Sequence, residues 1–143
     1  MKKTIFIITG LFFISIIVLV LMLINIKSGN LKLQQINKEY EYYLNREIYG
    51  TELATLINKA VDNNKRQEVQ TDENGFYISN QTNSILITIQ MLNAEEPYKM
   101  EKIFSLGTDK FVFLFNTSIF IGQEITYHRE TGRIATMLFR QIE

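Results

Sequence analysis

Side chains able to perform acid–base or metal chemistry are few in this chain. It has 143 residues, no cysteine and one histidine, His128. A metal site needs clustered His, Cys or carboxylate ligands, and nucleophilic catalysis needs a base beside the nucleophile. His128 stands close to a turn that ends in Gly132, so we interpret it as a solvent-exposed side chain at a hairpin tip. We therefore predict no metal site and no catalytic residue.

The adjacent carboxylates Glu95 and Glu96 are the other pair that could act as general acid and base. They come directly before Pro97, and acidic residues with proline are typical of the start of a helix. The chain has neither of the glycine-rich phosphate motifs, and residues 62–64 lack the Gly and Glu of a calcium loop. The sequence therefore predicts a protein that is not an enzyme and has no cofactor or identifiable small-molecule substrate.

Tyrosine is concentrated in one short stretch: four of the seven tyrosines are Tyr40, Tyr42, Tyr43 and Tyr49. Tyr40 and Tyr43 continue an apolar helical stripe and are predicted to pack on a sheet. Tyr42 and Tyr49 fall outside that stripe. Because tyrosine is enriched in the centres of protein interfaces, we predict that Tyr42 and Tyr49 contact a protein partner. The alternative is that both are ordinary exposed aromatic residues.

A membrane anchor is predicted at the amino terminus, because residues 4–26 contain no charged side chain and follow two lysines. At about 1.5 Å per residue this run forms a helix of roughly 35 Å, which is enough to cross a hydrocarbon core of about 30 Å. A cleaved signal peptide is the alternative, but its apolar region has only about 7 to 15 residues and ends in small residues. Residues 27–30 fit that cleavage pattern poorly.

The expected location is the cell membrane, with one span and an extracytoplasmic carboxyl-terminal domain. The lysines near the two ends of the span do not favour this orientation, but long domains translocate largely regardless of charge. We divide the chain into a basic tail with the anchor (residues 1–26), a joint (27–30) and one domain (31–143). Without the two leading lysines there remain 13 basic and 15 acidic side chains. That balance gives no basic surface for nucleic acid.

The predicted fold class is α+β: a transmembrane helix, then a long amphipathic helix packed on a mostly antiparallel sheet, with one short extra helix. Residues 31–64 have helical apolar spacing, and Gly50 either kinks that helix or separates two. The short helix is predicted after Pro97, with Met100, Ile103 and Phe104 facing inward and Gly107 at its end.

Strands are predicted from alternating apolar residues and from two turns that end in glycine. The turn at residues 72–75 predicts a hairpin of residues 68–71 with 76–79, and the turn at 129–132 predicts one of 120–128 with 133–141. Residues 84–92 alternate as a half-buried strand does. Residues 110–116 are apolar on both sides, which is typical of a strand at the centre of a sheet.

This layout resembles the type IV pilin and pseudopilin family, in which an apolar amino-terminal helix runs into an amphipathic helix that packs on an antiparallel sheet. The family's processing motif is absent: Gly10 follows an apolar stretch, and Ser15 occupies the position where the family has Glu. Residues 48–53, 57–60 and 127–132 also resemble segments of short single-pass bacterial membrane proteins, which implies no activity. A composition rich in Ile, Asn and Lys is typical of an AT-rich bacterial genome.

The function expected from these observations is that of a membrane-anchored structural or assembly component of a bacterial cell-envelope apparatus, such as a pilus or a secretion system. Its expected partners are the membrane and one or more envelope proteins. The alternative is a membrane-tethered extracytoplasmic domain that binds a ligand or regulates another membrane protein.

Overall fold

A computed structural model describes the backbone of residues 2–143 and the side chains of residues 9–143. The chain forms two compact units, one that ends at Gln35 and one that comprises Ile36–Glu143. We describe each unit by itself. The division of the sequence at residue 31 stays a prediction.

The amino-terminal unit is helical. Helix α1 has the bounds Lys2–Glu41, so the predicted joint at residues 27–30 lies within a continuous helix. From Thr9 onward it is long and apolar enough to span a membrane, with a mean hydropathy of 2.7 and none of its most apolar window buried. Length and composition therefore support a membrane span, and a signal sequence near the amino terminus would meet the same criteria.

The second unit is an α+β domain, as predicted from the sequence. After the last residues of α1 its elements are β1 (Glu47–Tyr49), α2 (Gly50–Arg66), β2 (Leu86–Gln90), β3 (Tyr98–Lys99), α3 (Met100–Leu106), α4 (Thr108–Phe115), β4 (Ile119–Tyr127) and β5 (Ile134–Gln141). The strands form one sheet in the order β1-β4-β5-β2-β3. Strands β2 and β5 pair in parallel and the other neighbours are antiparallel, so the sheet is mixed, and the prediction of a mostly antiparallel sheet holds only in part.

The core lies between one face of this sheet and helix α2. On β2 the buried residues alternate with half-buried ones, as the sequence pattern predicted. Ile87 and Ile89 stand beside Met137 and Phe139 of β5. Helix α2 is amphipathic and buries its apolar side against these strands; its fully buried apolar residues are Leu53, Leu56, Ile57 and Ala60. Burial of apolar surface on this scale is the main source of stability for such a domain.

The predicted long helix is interrupted before Gly50. Helix α1 ends at Glu41, and the edge strand β1 separates it from α2, which begins at Gly50. Strand β1 was not predicted, because three residues are too few to show the alternation of apolar and polar side chains. Gly50 is required by packing: a Cβ there would overlap the backbone carbonyl of Phe115, and its N–H donates to the Ser118 carbonyl at 3.2 Å. The close approach of α4 therefore explains the glycine.

The predicted central strand at residues 110–116 is wrong, because this segment forms helix α4. Phe111 is buried and Phe115 partly buried, and these residues, four apart, lie on one side of the helix with ring centroids 4.9 Å apart. Phe113 and Leu114 are exposed instead of covered. Helices α3 and α4 meet at Gly107, which has a φ of 89°. The domain thus has two short helices besides α2, where one was predicted.

The two predicted hairpins have different outcomes. The second is confirmed as β4 and β5, with Gly132 at a φ of 66° in the turn. At the first, the Asp72 carboxylate accepts from the N–H groups of Asn74 and Phe76 at 2.9 Å, so the turn forms. Its arms make only the isolated bridge between Thr71 and Tyr77 and are not strands of the sheet.

The short helix after Pro97 is present but begins later than predicted. Pro97 precedes strand β3, and α3 starts at Met100. Met100 and Ile103 are buried, as predicted, whereas Phe104 is 37% exposed and carries the Lys65 ammonium over its ring at 4.6 Å. The predicted inward position of Phe104 is therefore wrong.

We expect Gly50→Ala to destabilise the domain by about 1 to 3 kcal/mol, because the added methyl group overlaps the main chain of Phe115. The exposed neighbour Thr51 provides the control, and Thr51→Ala should change stability by less than about 0.5 kcal/mol. Urea unfolding of the full chain in nonionic detergent, followed by the tyrosine near-ultraviolet circular dichroism, measures both. Equal midpoints would contradict the contact between Gly50 and α4.

Candidate functional site

Tyr42, one of the two predicted partner-binding residues, lies just after α1 and is 54% exposed. The Arg46 guanidinium stands 3.9 Å from the centre of its ring and donates a hydrogen bond to its hydroxyl. The Tyr43 ring meets it edge to face, with centroids 5.2 Å apart. Tyr42 is therefore held in one orientation and remains accessible.

Tyr49, the other predicted partner-binding residue, is at the end of edge strand β1 and is 55% exposed. Its N–H donates to the Glu52 carboxylate at 3.0 Å, a contact that caps the start of α2. Within the described residues no hydrogen bond or ring contact joins Tyr49 to Tyr42, so the two belong to separate clusters. Their role in binding a partner stays a prediction.

His128 is buried, which corrects the prediction of a solvent-exposed side chain. It is 5% exposed, and its Nε2 lies 2.7 Å from the carbonyl oxygen of Ser84. A carbonyl can only accept, so Nε2 carries the proton and donates it. The imidazole points inward because the tip of the β4–β5 hairpin covers residues 80–84; there the Thr131 hydroxyl donates to the Thr82 carbonyl at 2.8 Å. His128 thus fixes a loop to the sheet.

Two asparagine side chains each accept a hydrogen bond from a backbone N–H and donate one to a nearby backbone carbonyl. Asn64, fully buried in the last turns of α2, accepts from the N–H of Ile85 and donates to the carbonyl of the same residue, both at 2.8 Å. Asn37 in α1 accepts from the N–H of Ile134 at 3.0 Å and donates to the Gly132 carbonyl at 2.8 Å. Each side chain replaces a missing strand partner, so the loop before β2 and the β4–β5 turn are fixed in place.

The position of Asn64 in the sequence is a signal for these hydrogen bonds. Asn64 follows Ala60 by four residues and therefore continues the buried side of α2. A polar residue in phase with an apolar stripe must find hydrogen-bond partners inside the domain. The partners themselves, Ile85 and the segment before it, are far away in sequence and have no pattern that identifies them.

The carboxylates Glu95 and Glu96 are both exposed in the turn before β3. Among the side chains of residues 9–143, no group of three or more His, Asp or Glu residues is placed to hold a metal ion.

A groove of about 560 Å³ lies between the end of α1 and helix α2, within the second unit. Charged and polar side chains dominate its walls, which are formed by Ile36, Glu39, Tyr40, Lys59, Asp62, Asn63, Lys65, Arg66 and Ile85. The Lys59 ammonium forms an ion pair with Glu39 across the groove. The hydrogen bond between Lys59 and Glu39 raises the pKa of Lys59, and burial of the ammonium lowers it by a smaller amount.

A second cavity of about 550 Å³ is bounded by the β4–β5 hairpin and residues 79–81, and His128 lies in its wall. The hydroxyls of Thr126 and Thr136 bond to each other there at 2.6 Å. Nearby, the Tyr127 hydroxyl donates to Glu41 at 2.7 Å. Burial, reinforced by this hydrogen bond, raises the pKa of Tyr127 to about 12. Thr126, Tyr127, His128 and Thr136 of this cavity therefore each have a hydrogen-bond partner.

The apolar end of α4 is the most exposed part of the domain's hydrophobic surface. Phe113 is 82% exposed and Leu114 is 67% exposed, and Leu106 at the end of α3 is 54% exposed. Phe111 faces the core from the opposite side of the same helix. Large contiguous apolar patches mark surfaces that contact another molecule, and Phe113 and Leu114 are adjacent exposed apolar residues.

Neither protein-family models, curated proteins nor solved structures gave a match to this chain.

We expect Asn64→Ala to destabilise the domain by about 2 to 4 kcal/mol, because it leaves the buried N–H and carbonyl of Ile85 without partners. Asn93, exposed in the turn after β2, is the control; Asn93→Ala should cost less than about 0.5 kcal/mol. Urea unfolding of the full chain, as for Gly50, measures both. If both substitutions lowered the free energy of unfolding equally, the two hydrogen bonds between Asn64 and Ile85 would not be a major source of stability.

Proposed function

We propose that this protein is a single-pass, membrane-anchored structural or assembly component of a bacterial cell-envelope apparatus of the pilus or secretion type. Residues 4–26 hold it in the membrane, and the domain of Ile36–Glu143 binds protein partners outside the cytoplasm. The protein is not an enzyme and acts through its surfaces.

The observation that carries this proposal is the exposed apolar end of α4. Phe113 is more exposed than any other large hydrophobic residue among the described side chains, including those of the apolar helix α1. A domain of this size has enough core to bury such a residue, so leaving it in water favours a role in contact. Aromatic residues of this kind supply much of the binding energy in protein interfaces.

The interior of the domain supports the same proposal. His128 is bonded to the Ser84 carbonyl and two asparagines hold backbone segments, so these buried polar groups serve the fold. The exposed tyrosines 42 and 49 add aromatic surface of the type found in interfaces. An apolar amino-terminal helix followed by a helix that packs on a sheet also resembles the layout of pilins and pseudopilins.

A second candidate function is a membrane-tethered extracytoplasmic domain that binds a ligand or regulates another membrane protein. The charged groove between α1 and α2 favours it, because its volume is in the range of small-molecule sites. The two functions differ in the surface they use, so substitutions can separate them.

Orientation can be tested with single cysteines, since the chain has none of its own. We expect a membrane-impermeant maleimide to label Glu130→Cys, at the exposed hairpin tip, in intact cells. Lys3→Cys, on the opposite side of the apolar run, should be labelled only after permeabilisation. The reverse pattern would place the domain in the cytoplasm, and a soluble Glu130→Cys protein that begins near residue 28 would identify the apolar run as a cleaved signal.

Partner binding can be tested on the tagged full chain in native membranes by blue native electrophoresis. We expect a complex larger than the monomer that is lost in Phe113→Ser with Leu114→Ser, because the apolar contact surface is removed. Tyr42→Ala with Tyr49→Ala should weaken the same complex.

Leu92→Ser is the matched control for this experiment, since Leu92 is 58% exposed and lies outside α4. It should leave the complex intact. A complex that survives the α4 double substitution, or that Leu92→Ser removes equally well, would contradict the proposed role of α4.

A further inference from the structure

The groove between α1 and α2 has more positive than negative charge. Lys59, Lys65 and Arg66 line it together with two carboxylates, Glu39 and Asp62. Glu39 forms an ion pair with Lys59. This is the one ion pair within 4.0 Å among the described side chains. Neither Lys65 nor Arg66 therefore has an ion-pair partner of its own.

The contacts of these two cations leave their charges available. The Arg66 Nε donates to the main-chain carbonyl of Asp62 at 3.3 Å, within its own helix. The Lys65 ammonium stands over the Phe104 ring at 4.6 Å. A carbonyl and an aromatic ring hold a cation in place without neutralising it, so the groove keeps its positive potential.

Arg133, which does not line the groove but contacts Asn63 of its wall, is a third cation without an ion-pair partner. One of its terminal nitrogens donates to the side-chain oxygen of Asn63, a residue of the groove wall, at 3.1 Å. Its Nε is buried and has no acceptor among the described residues. A partly buried guanidinium is costly without an anion, so its presence here favours a negatively charged ligand nearby.

Tyr40 places a hydroxyl among these charges. It is 3% exposed, lies in the groove wall, and is fourteen residues beyond the end of the charge-free run at Ile26. Burial raises the pKa of its hydroxyl and Glu39 adds to that effect, while the positive charges of Arg66 and Arg133 act in the opposite direction. The hydroxyl therefore stays protonated at neutral pH and can donate a hydrogen bond.

We propose that this groove binds a phosphate group through Arg66 and Lys65 of its wall, with the positive charge of Arg133 beside Asn63 in support. A guanidinium and an ammonium offer more N–H donors than the two oxygens of one carboxylate can accept, whereas a phosphate presents three or four oxygens. Arginine is also the residue best suited to hold phosphate in a fixed geometry.

The phosphate can come from a soluble molecule or from the headgroup of a phospholipid, and the groove chemistry is the same for both. This inference deepens the second candidate function and does not use the apolar end of α4. The binding measurement and the native-gel experiment therefore fail independently of each other.

The test is isothermal titration calorimetry of the full chain in uncharged detergent micelles. One arm uses inorganic phosphate, a second uses dihexanoyl phosphatidylglycerol below its critical micelle concentration, and a third uses acetate. We expect phosphate to bind and acetate to bind more weakly. Because a charge-assisted hydrogen bond is lost, Arg66→Gln should weaken phosphate binding about tenfold or more.

The matched control is Arg140→Gln, which removes an exposed guanidinium from strand β5, outside the groove. It should leave binding unchanged. Arg66 is exposed and bonds only its own helix, so Arg66→Gln should fold; near-ultraviolet circular dichroism checks this, and Lys65→Gln provides a second groove variant. Arg133→Gln should weaken binding by a similar factor if it folds.

Binding of both phosphate probes would indicate the shared group, and binding of inorganic phosphate alone would indicate a soluble ligand; either result supports the proposal. Binding of the phosphatidylglycerol alone, lost in Arg66→Gln, would support it with a lipid source. No binding in either phosphate arm would overturn it, and so would acetate binding as tight as phosphate or an equal loss in Arg140→Gln.

Discussion

Backbone N–H and carbonyl groups cannot be buried without partners, and this domain meets that requirement with side chains where strands are missing. The long segment between α2 and β2 has no regular structure but runs against the sheet. Asn64 supplies the hydrogen bonds of Ile85, and Asn80 accepts from three successive N–H groups, those of residues 82, 83 and 84, at 2.8 to 3.0 Å. These side chains thus fix the segment that leads directly into β2.

The same polar network explains why the domain shows little reactive chemistry. Its buried polar residues are asparagines, a serine and one histidine, and each bonds to a backbone group or to another of them. The amide and hydroxyl groups among them are satisfied at low cost because they carry no charge. Three cations without an ion-pair partner, Lys65, Arg66 and Arg133, lie at or beside the groove between α1 and α2.

Sequence patterns predicted the elements whose residues face only two environments. The amphipathic α2, the alternating β2 and the β4–β5 hairpin each have one side in the core and one toward solvent, so their period is visible. The pattern failed for α4, where Phe113 and Leu114 are apolar yet exposed. A segment with apolar residues on every side predicts complete burial. Only the packing of Phe111 and Phe115 in the folded domain shows which side of α4 is covered. The groove cations could not be predicted, because Arg133 and Arg66 are 67 positions apart in the sequence.

The parallel pairing of β2 with β5 has a consequence for how the domain forms. Leu86 pairs with Thr136, fifty residues later, and β5 stands in the middle of the sheet although it is the last strand of the chain. Until β5 has left the ribosome, β1 with β4 and β2 with β3 are two separate parts of the sheet that cannot join. Contacts between distant parts of a chain slow folding and expose unpaired strands meanwhile. A nascent chain would therefore remain open to chaperones and proteases until β5 has been synthesised.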